Sequence, residues 1–212
     1  MEGASKPAEQ ARSRIILGLL ESVERGGEQS QRRLASELGV ALGLVNAYLK
    51  RCIRKGLIKV SEAPARRYQY YLTPHGFAEK TKLTVEYMSL SFSLFRRAKA
   101  DCTAALAAAA SCGFTRVALL GVSDLAEIAS ICAPDTGVSI VAVVDPGSDA
   151  DKFAGLPVAK SLTTVSADAV LITDIARPRE TAARAVAELG AERVFVPALL
   201  GVRPTALPGE TA

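Results

Sequence analysis

Residues 30–55 carry two short apolar stripes separated by a single glycine, and few folds accept that arrangement. The first segment runs Ser30-Gln31-Arg32-Arg33-Leu34-Ala35-Ser36-Glu37-Leu38-Gly39-Val40. Ser30 is a natural helix N-cap, because its hydroxyl can accept from a free amide of the first turn. Leu34 and Leu38 share a face at i,i+4, and Gly39 supplies the backbone angles of a tight turn. A second helix is expected over 41–55, with Val45, Leu49 and Ile53 as its inward stripe. Leu42, Gly43, Asn46, Ala47 and Lys50 are then left facing outward. Upstream, Ile15, Ile16, Leu19, Leu20 and Val23 have helical spacing, and Gly26-Gly27 ends that helix. Downstream, 57–60 and 66–72 read as antiparallel strands with residues 61–65 as their tip.

Three helices followed by such a hairpin make a winged helix-turn-helix, whose second motif helix enters the DNA major groove. The candidate DNA contacts are Gln31, Arg32, Leu42, Gly43, Asn46 and Lys50, with Arg66 and Arg67 on the wing for phosphate or the minor groove. Charge agrees. Residues 1–100 hold 18 Lys and Arg against 9 Asp and Glu, whereas residues 101–212 hold 8 against 13, although the whole chain is only +4. A basic half joined to an acidic half fits a polyanion-binding module carrying something that does not bind polyanions.

Residues 31–99 resemble the MarR-type winged-helix regulators found beside exopolysaccharide gene clusters in bacteria. The resemblance is carried by Leu34-Ala35, Glu37-Leu38-Gly39-Val40, Gly43, Val45-Asn46, Lys55 to Val60, and Tyr71-Leu72-Thr73-Pro74-His75-Gly76 with Ala78-Glu79-Lys80. It implies a transcriptional regulator that binds double-stranded DNA, with polysaccharide genes among its targets. The family more often has Lys where His75 stands.

From Phe77 to Ser111 there is no Gly or Pro, which predicts one helix of roughly 50 Å at the usual rise per residue. Leu83, Tyr87, Leu90 and Leu94 recur at heptad spacing and suggest a homodimer seam. Beyond Gly113 the pattern changes to apolar strands at 116–120, 139–145, 169–174 and 193–197, alternating with helices at about 121–132 and 179–189. That is a doubly wound parallel sheet, with a ligand site at its strands' carboxyl ends.

Gly121-x-Ser123-x-x-Ala126 stands where a dinucleotide fingerprint has Gly-x-Gly-x-x-Gly, and Asp145 is placed to meet ribose hydroxyls. Candidate ligand residues are Gly121, Ser123, Asp124, Leu125, Asp145, Thr173 and Asp174. Residues 115–200 resemble small Rossmann domains of the CoA-binding type and of sugar acyltransferases' N-terminal domains. The carrying residues are Gly121 to Ala129, Val143-Val144-Asp145, and Phe153 with Gly155-Leu156-Pro157-Val158. The order of winged module and Rossmann-like domain also resembles the Rex-type redox repressors. These likenesses imply NAD(H), CoA or a nucleotide sugar as the ligand.

The expected organisation is α/β overall: a mobile tail (1–11), a winged helix-turn-helix (12–76), a linking and dimerisation helix (77–112), a Rossmann-like domain (113–200) and a second tail (201–212). No catalytic residue is expected, because the sole His75 and all five tyrosines precede residue 88. No metal site is expected, since Cys52, Cys102, Cys112 and Cys132 lack the close pairs of zinc ligands and read as buried free thiols. No run suits a membrane span or signal core, so a cytoplasmic protein is expected. The reading is a ligand-responsive transcriptional regulator. The alternatives are a DNA-binding protein whose second domain only assembles, and a nucleotide-cofactor-dependent enzyme.

Overall fold

The computed structural model describes residues 5–26, 30–63 and 67–203. The chain divides into two compact units, residues 1–91 and 92–212. In the first, α1 (Ser5–Arg25), α2 (Gln31–Leu38) and α3 (Leu42–Arg54) precede β1 (Ile58–Ala63) and β2 (Arg67–Leu72). Helix α1 begins at Ser5, well inside the segment expected as a mobile tail. The Ser30 hydroxyl accepts from the Arg33 amide at 3.1 Å, and Gly39 ends α2 in the left-handed region at φ 63°. Leu19, Leu20, Leu34, Val45 and Leu49 build the core. Cys52 takes the buried place expected of Ile53, which is only half-buried. A second step of four residues rotates a side chain about 80° off the stripe begun by Val45, whereas four then three keeps it on.

Glu37 ties α2 to α1. Its Oε2 accepts from Ser22 Oγ at 2.6 Å and its Oε1 from Arg33 Nε at 2.8 Å. The Ser22 and Arg33 hydrogen bonds hold this carboxyl below its ordinary 4.5. A lowered folded-state value means the tie contributes fully above pH 4.5 and is lost as pH falls through the folded value. The melting temperature of the wild type should therefore fall more than that of Glu37→Gln between neutral pH and pH about 3. Parallel pH profiles for the two proteins would show the tie to be inert.

Strands β1 and β2 pair with Ile58 opposite Leu72 and Val60 opposite Tyr70. Strand β1 runs further than expected, since residues 61–63 are strand rather than tip, whereas β2 keeps to the expected segment; Arg66 lies outside the described residues. The next helix, α4 (Pro74–Ser111), starts three residues before the expected Phe77. Proline suits a first turn, where its missing N–H costs nothing. Thr73 Oγ1 accepts from the Gly76 amide at 3.0 Å, and the Thr73 amide donates to Leu57 O at 3.1 Å. Gly76 lies so close to β1 that a Cβ there would stand 2.1 Å from Leu57 O.

The second unit contains the last turns of α4, so this helix is more than a linker: Ala98, Cys102, Leu106 and Ala109 are part of that unit's core. The remaining elements are β3 (Arg116–Leu120), α5 (Asp124–Cys132), β4 (Ser139–Val144), β5 (Lys152–Phe153), β6 (Leu156–Ala159), β7 (Ala169–Ile172), α6 (Pro178–Leu189) and β8 (Val194–Phe195). The sheet order is β5-β6-β4-β3-β7-β8, parallel throughout except for β5 against β6. Val117 and Leu119 face α4 and α5, while Ala118 and Leu120 face Ala182 and Ala185 of α6. Both faces are covered, which is why these strands read as unbroken apolar runs. The chain leaves β3 toward β4 on one side and returns to β7 on the other, opening a crevice at the carboxyl ends of β3 and β7.

Burial pushes the Cys52 thiol up to about 11 and the Cys102 thiol up to about 12. Cys132 is buried as well, and Cys112 departs from expectation by being exposed. Among the described residues no helix is long and apolar enough to cross a membrane.

Candidate functional site

Helix α3 has a buried back and an open front. Val45, Leu49 and Cys52 anchor it, and Leu42, Gly43, Leu44, Ala47 and Lys50 stay exposed. Gly43, Ala47, Lys50 and Arg54 follow one another at steps of four, three and four, so they share one outward row. Arg54 was absent from the sequence-based candidates, although its i+4 relation to Lys50 marks it. Of the α2 candidates, Arg32 is exposed, whereas Gln31 is half-buried and its Nε2 donates to Tyr70 Oη at 3.4 Å. Arg67 enters β2 opposite Ala63. Tyr68 and Tyr71, also overlooked, are half-exposed aromatic rings on the same strand.

Two of these positions are costly to the fold alone. Nothing lies within 4 Å of the Cβ that Gly43 lacks, so packing does not require glycine there. Gly43→Ala should raise stability by up to about 1 kcal/mol through helix propensity and weaken DNA binding by adding a methyl to the outward row. A variant that gains stability and binds as tightly as the wild type would remove Gly43 from the interface. Asn46 is the second. It is half-buried, and its Oδ1 is enclosed without a hydrogen-bond partner. Leaving such an atom unsatisfied costs about 1–3 kcal/mol.

In the second unit a cleft of about 630 Å³ lies at the carboxyl ends of β3, β4 and β7, beside α6. Gly121, Asp145 and Asp174 line it as expected. The other predicted ligand residues are placed differently. Leu125 is buried in the core, and Asp124 is exposed in the first turn of α5. Ser123 Oγ accepts from the Ala126 amide at 3.2 Å, capping α5, and donates to Thr173 O at 2.7 Å. Thr173 is fully buried and its hydroxyl donates to Gly121 O at 2.7 Å. The fingerprint loop is thus sewn to the end of β7.

Asp145 is committed in the same way. Its Oδ2 accepts from the Val122 amide and its Oδ1 from the Gly147 amide, both at 2.9 Å. A carboxylate therefore occupies a loop amide that a pyrophosphate would need, and the residues present do not fit a dinucleotide phosphate at this loop. Asp174 accepts from the Ala176 and Arg177 amides and from Thr181 Oγ1, at 2.9, 3.0 and 2.7 Å. Burial pushes its carboxyl up, but these donors and the Arg177 charge together hold it below the ordinary 3.8.

The cleft's cations are Lys160, Arg177 and Arg184. Lys160 Nζ donates to Ser148 O, and Arg177 stands 3.9 Å from Glu180. Lys160 and Arg184 were not among the predicted ligand residues. The spacing of Arg177, Thr181 and Arg184, four then three, was the available signal for a common face of α6. Among the described residues no three His, Cys, Asp or Glu side chains gather as metal ligands.

Comparison with known proteins bears on the first unit. No curated protein matches the chain. The profile of winged helix-turn-helix DNA-binding domains matches residues 12–59, which span most of α1 through the start of β1. The chain carries a winged helix-turn-helix DNA-binding domain, and this supports a transcriptional regulator.

Proposed function

We propose that the protein is a homodimeric transcriptional regulator that reads double-stranded DNA through α3 and the wing. The observation that carries this reading is the α3 outward row of Gly43, Ala47, Lys50 and Arg54, within a segment that matches DNA-binding winged helices. Asn46 is the base-reading residue of the set. An amide whose oxygen lacks a partner loses little by turning toward a base edge, where bidentate pairing with adenine satisfies it. Lys50, Arg54, Arg66 and Arg67 act on phosphates.

Fluorescence anisotropy with a selected operator and with random DNA tests these roles. Asn46→Ala should lower affinity for the operator by about 1–3 kcal/mol at one base position and leave random DNA unaffected. Removing Lys50 or Arg67 should weaken both and flatten the salt slope by about one unit each. Equal losses on both DNAs for Asn46→Ala would sink its assignment.

The second unit is proposed to receive a small anionic effector in the cleft beside α6. Lys160, Arg177 and Arg184 supply positive charge there, while Asp145 keeps the Gly121 loop from holding a phosphate. Among NAD(H), CoA and nucleotide sugars, this favours a ligand whose anionic group reaches α6. Calorimetric titration of the full chain with each, repeated on the DNA complex, tests the idea. An effector that acts on DNA affinity must itself be bound more or less tightly in the presence of DNA, by the same factor. A second reading, in which this unit serves assembly alone, is favoured by the internal hydrogen bonds of Ser123, Thr173, Asp145 and Asp174. Heat-silent titrations with all three ligand classes would select it.

A further inference from the structure

The cleft beside α6 has acceptors on one wall and donors on the other. Asp145 and Asp174 line it at the strand ends, and Arg177 and Arg184 line it along α6. A carboxylate offers about four lone-pair positions. Asp145 uses two of them, on the Val122 and Gly147 amides. Asp174 uses three, on the Ala176 and Arg177 amides and Thr181 Oγ1. Each keeps some acceptor capacity, and both are only half-buried, so a hydroxyl entering the cleft can reach them. On the other wall Arg177 and Arg184 stand seven residues apart, about 10 Å along the helix, and both side chains are long enough to close over the turn between. The 3.9 Å ion pair of Arg177 with Glu180 joins two well-exposed groups and is worth little in water. Arg184 is exposed and, among the described residues, joins no hydrogen bond or ion pair, although Glu180 and Glu188 lie one turn to either side. Glu188 also lines the cleft and repels an anion, which bounds the anion's seat to the stretch between the two arginines. Lys160, at the end of β6, is already engaged by Ser148 O and Asp149.

We propose that this cleft takes a small sugar monophosphate, its phosphate on Arg177 and Arg184 and its hydroxyls on Asp145 and Asp174. The proposal rests on the anionic-effector reading above and names the chemical class. Charge placement decides among the classes. A ligand with negative charge at its centre, as in a dinucleotide, sets that charge against two carboxylates, and the Val122 amide that would receive a bridging phosphate is taken. A bare anion leaves the open acceptor positions without donors, and a neutral sugar leaves the two guanidinium groups without an anion. A terminal phosphate monoester carries about −1.5 to −2 charge at neutral pH, which matches two arginines. Guanidinium groups also grip phosphate oxygens bidentately. One molecule with such a group at one end and several hydroxyls at the other satisfies both walls.

Calorimetric titration of the full chain with ribose 5-phosphate, glucose 6-phosphate and glucose 1-phosphate tests the proposal, with the free sugars and inorganic phosphate as controls. At least one ester should bind at least about tenfold more tightly than both inorganic phosphate and its own free sugar. Arg177→Gln and Arg184→Gln should each weaken that ester at least about tenfold, with the melting temperature of the unliganded protein unchanged. If Arg177→Gln disturbs the start of α6, Arg184→Gln, which breaks no existing contact, decides alone. Esters that bind no better than inorganic phosphate or the free sugar, or binding untouched by Arg184→Gln, overturn the proposal. If NAD(H), CoA or a nucleotide sugar then binds, the anionic-effector reading stands without it. Silence with every ligand overturns both.

Discussion

Gly76→Ala should destabilise the N-terminal unit by about 3 kcal/mol or more and cost most of its DNA binding, from the addition of one methyl group. The new carbon would lie 2.1 Å from Leu57 O and 3.0 Å from Leu57 C, both backbone atoms at the root of β1. No side-chain rotation relieves a contact between two main chains. Helix α4 would have to lift off the wing, which would also break the Thr73 hydrogen bonds to Gly56 O and Leu57 O. For a domain held by about 5–15 kcal/mol in total, a loss of that size is visible as a large fall in melting temperature. Calorimetry and operator binding on the full chain measure both effects. A Gly76→Ala protein melting within a few degrees of the wild type would show that the junction yields.

Gly121→Ala should do to the C-terminal unit what Gly76→Ala does to the first. Gly121 has φ 106°, where a side chain is strained, and its missing Cβ would meet Asp174 Cα and N at 2.7 Å. The tight turn is therefore closed by the β7 end rather than open to a ligand, and even alanine wedges β3 from β7. An expected cost of about 2–4 kcal/mol combines the backbone strain with the overpacking. Cleft occupancy should fall with it, while the affinity of the winged domain for random DNA stays unchanged. Unaltered unfolding in Gly121→Ala would mean that the β7 end gives way freely.

The contrast with Gly43 shows what the sequence made legible. A glycine is visible as a letter, but whether its empty side meets backbone, as at Gly76 and Gly121, or open space, as at Gly43, depends on neighbours distant in the chain. Helix starts and stops were readable because Ser30 and Gly39 act on adjacent residues. The buried strands were readable because burial on both faces demands unbroken apolar runs. The β5–β6 hairpin was missed for local reasons: its strands are short, Pro157 argues against a strand, and its turn residues, Ala154 at φ 48° and Gly155 at φ 80°, lack the usual Asn-Gly or Asp-Gly signature. The ligand residues were read from spacing alone. Spacing placed Asp145 at the right strand end, but it could not show that the Val122 and Gly147 amides already hold both oxygens.

The four thiols give each unit its own reporter. Cys52 is sealed in the first core, Cys102 and Cys132 in the second, and Cys112 stands at the surface. A thiol reacts as its thiolate, so those raised to about 11 and about 12 are doubly shielded, by enclosure and by protonation. An alkylating reagent at neutral pH will consume Cys112 first. Each later modification then times the opening of the core that holds it. Pulse labelling followed by peptide mass mapping turns the chain into its own clock, reading the breathing of the DNA-binding unit at Cys52 separately from that of the cleft-bearing unit at Cys102 and Cys132, with and without operator or effector.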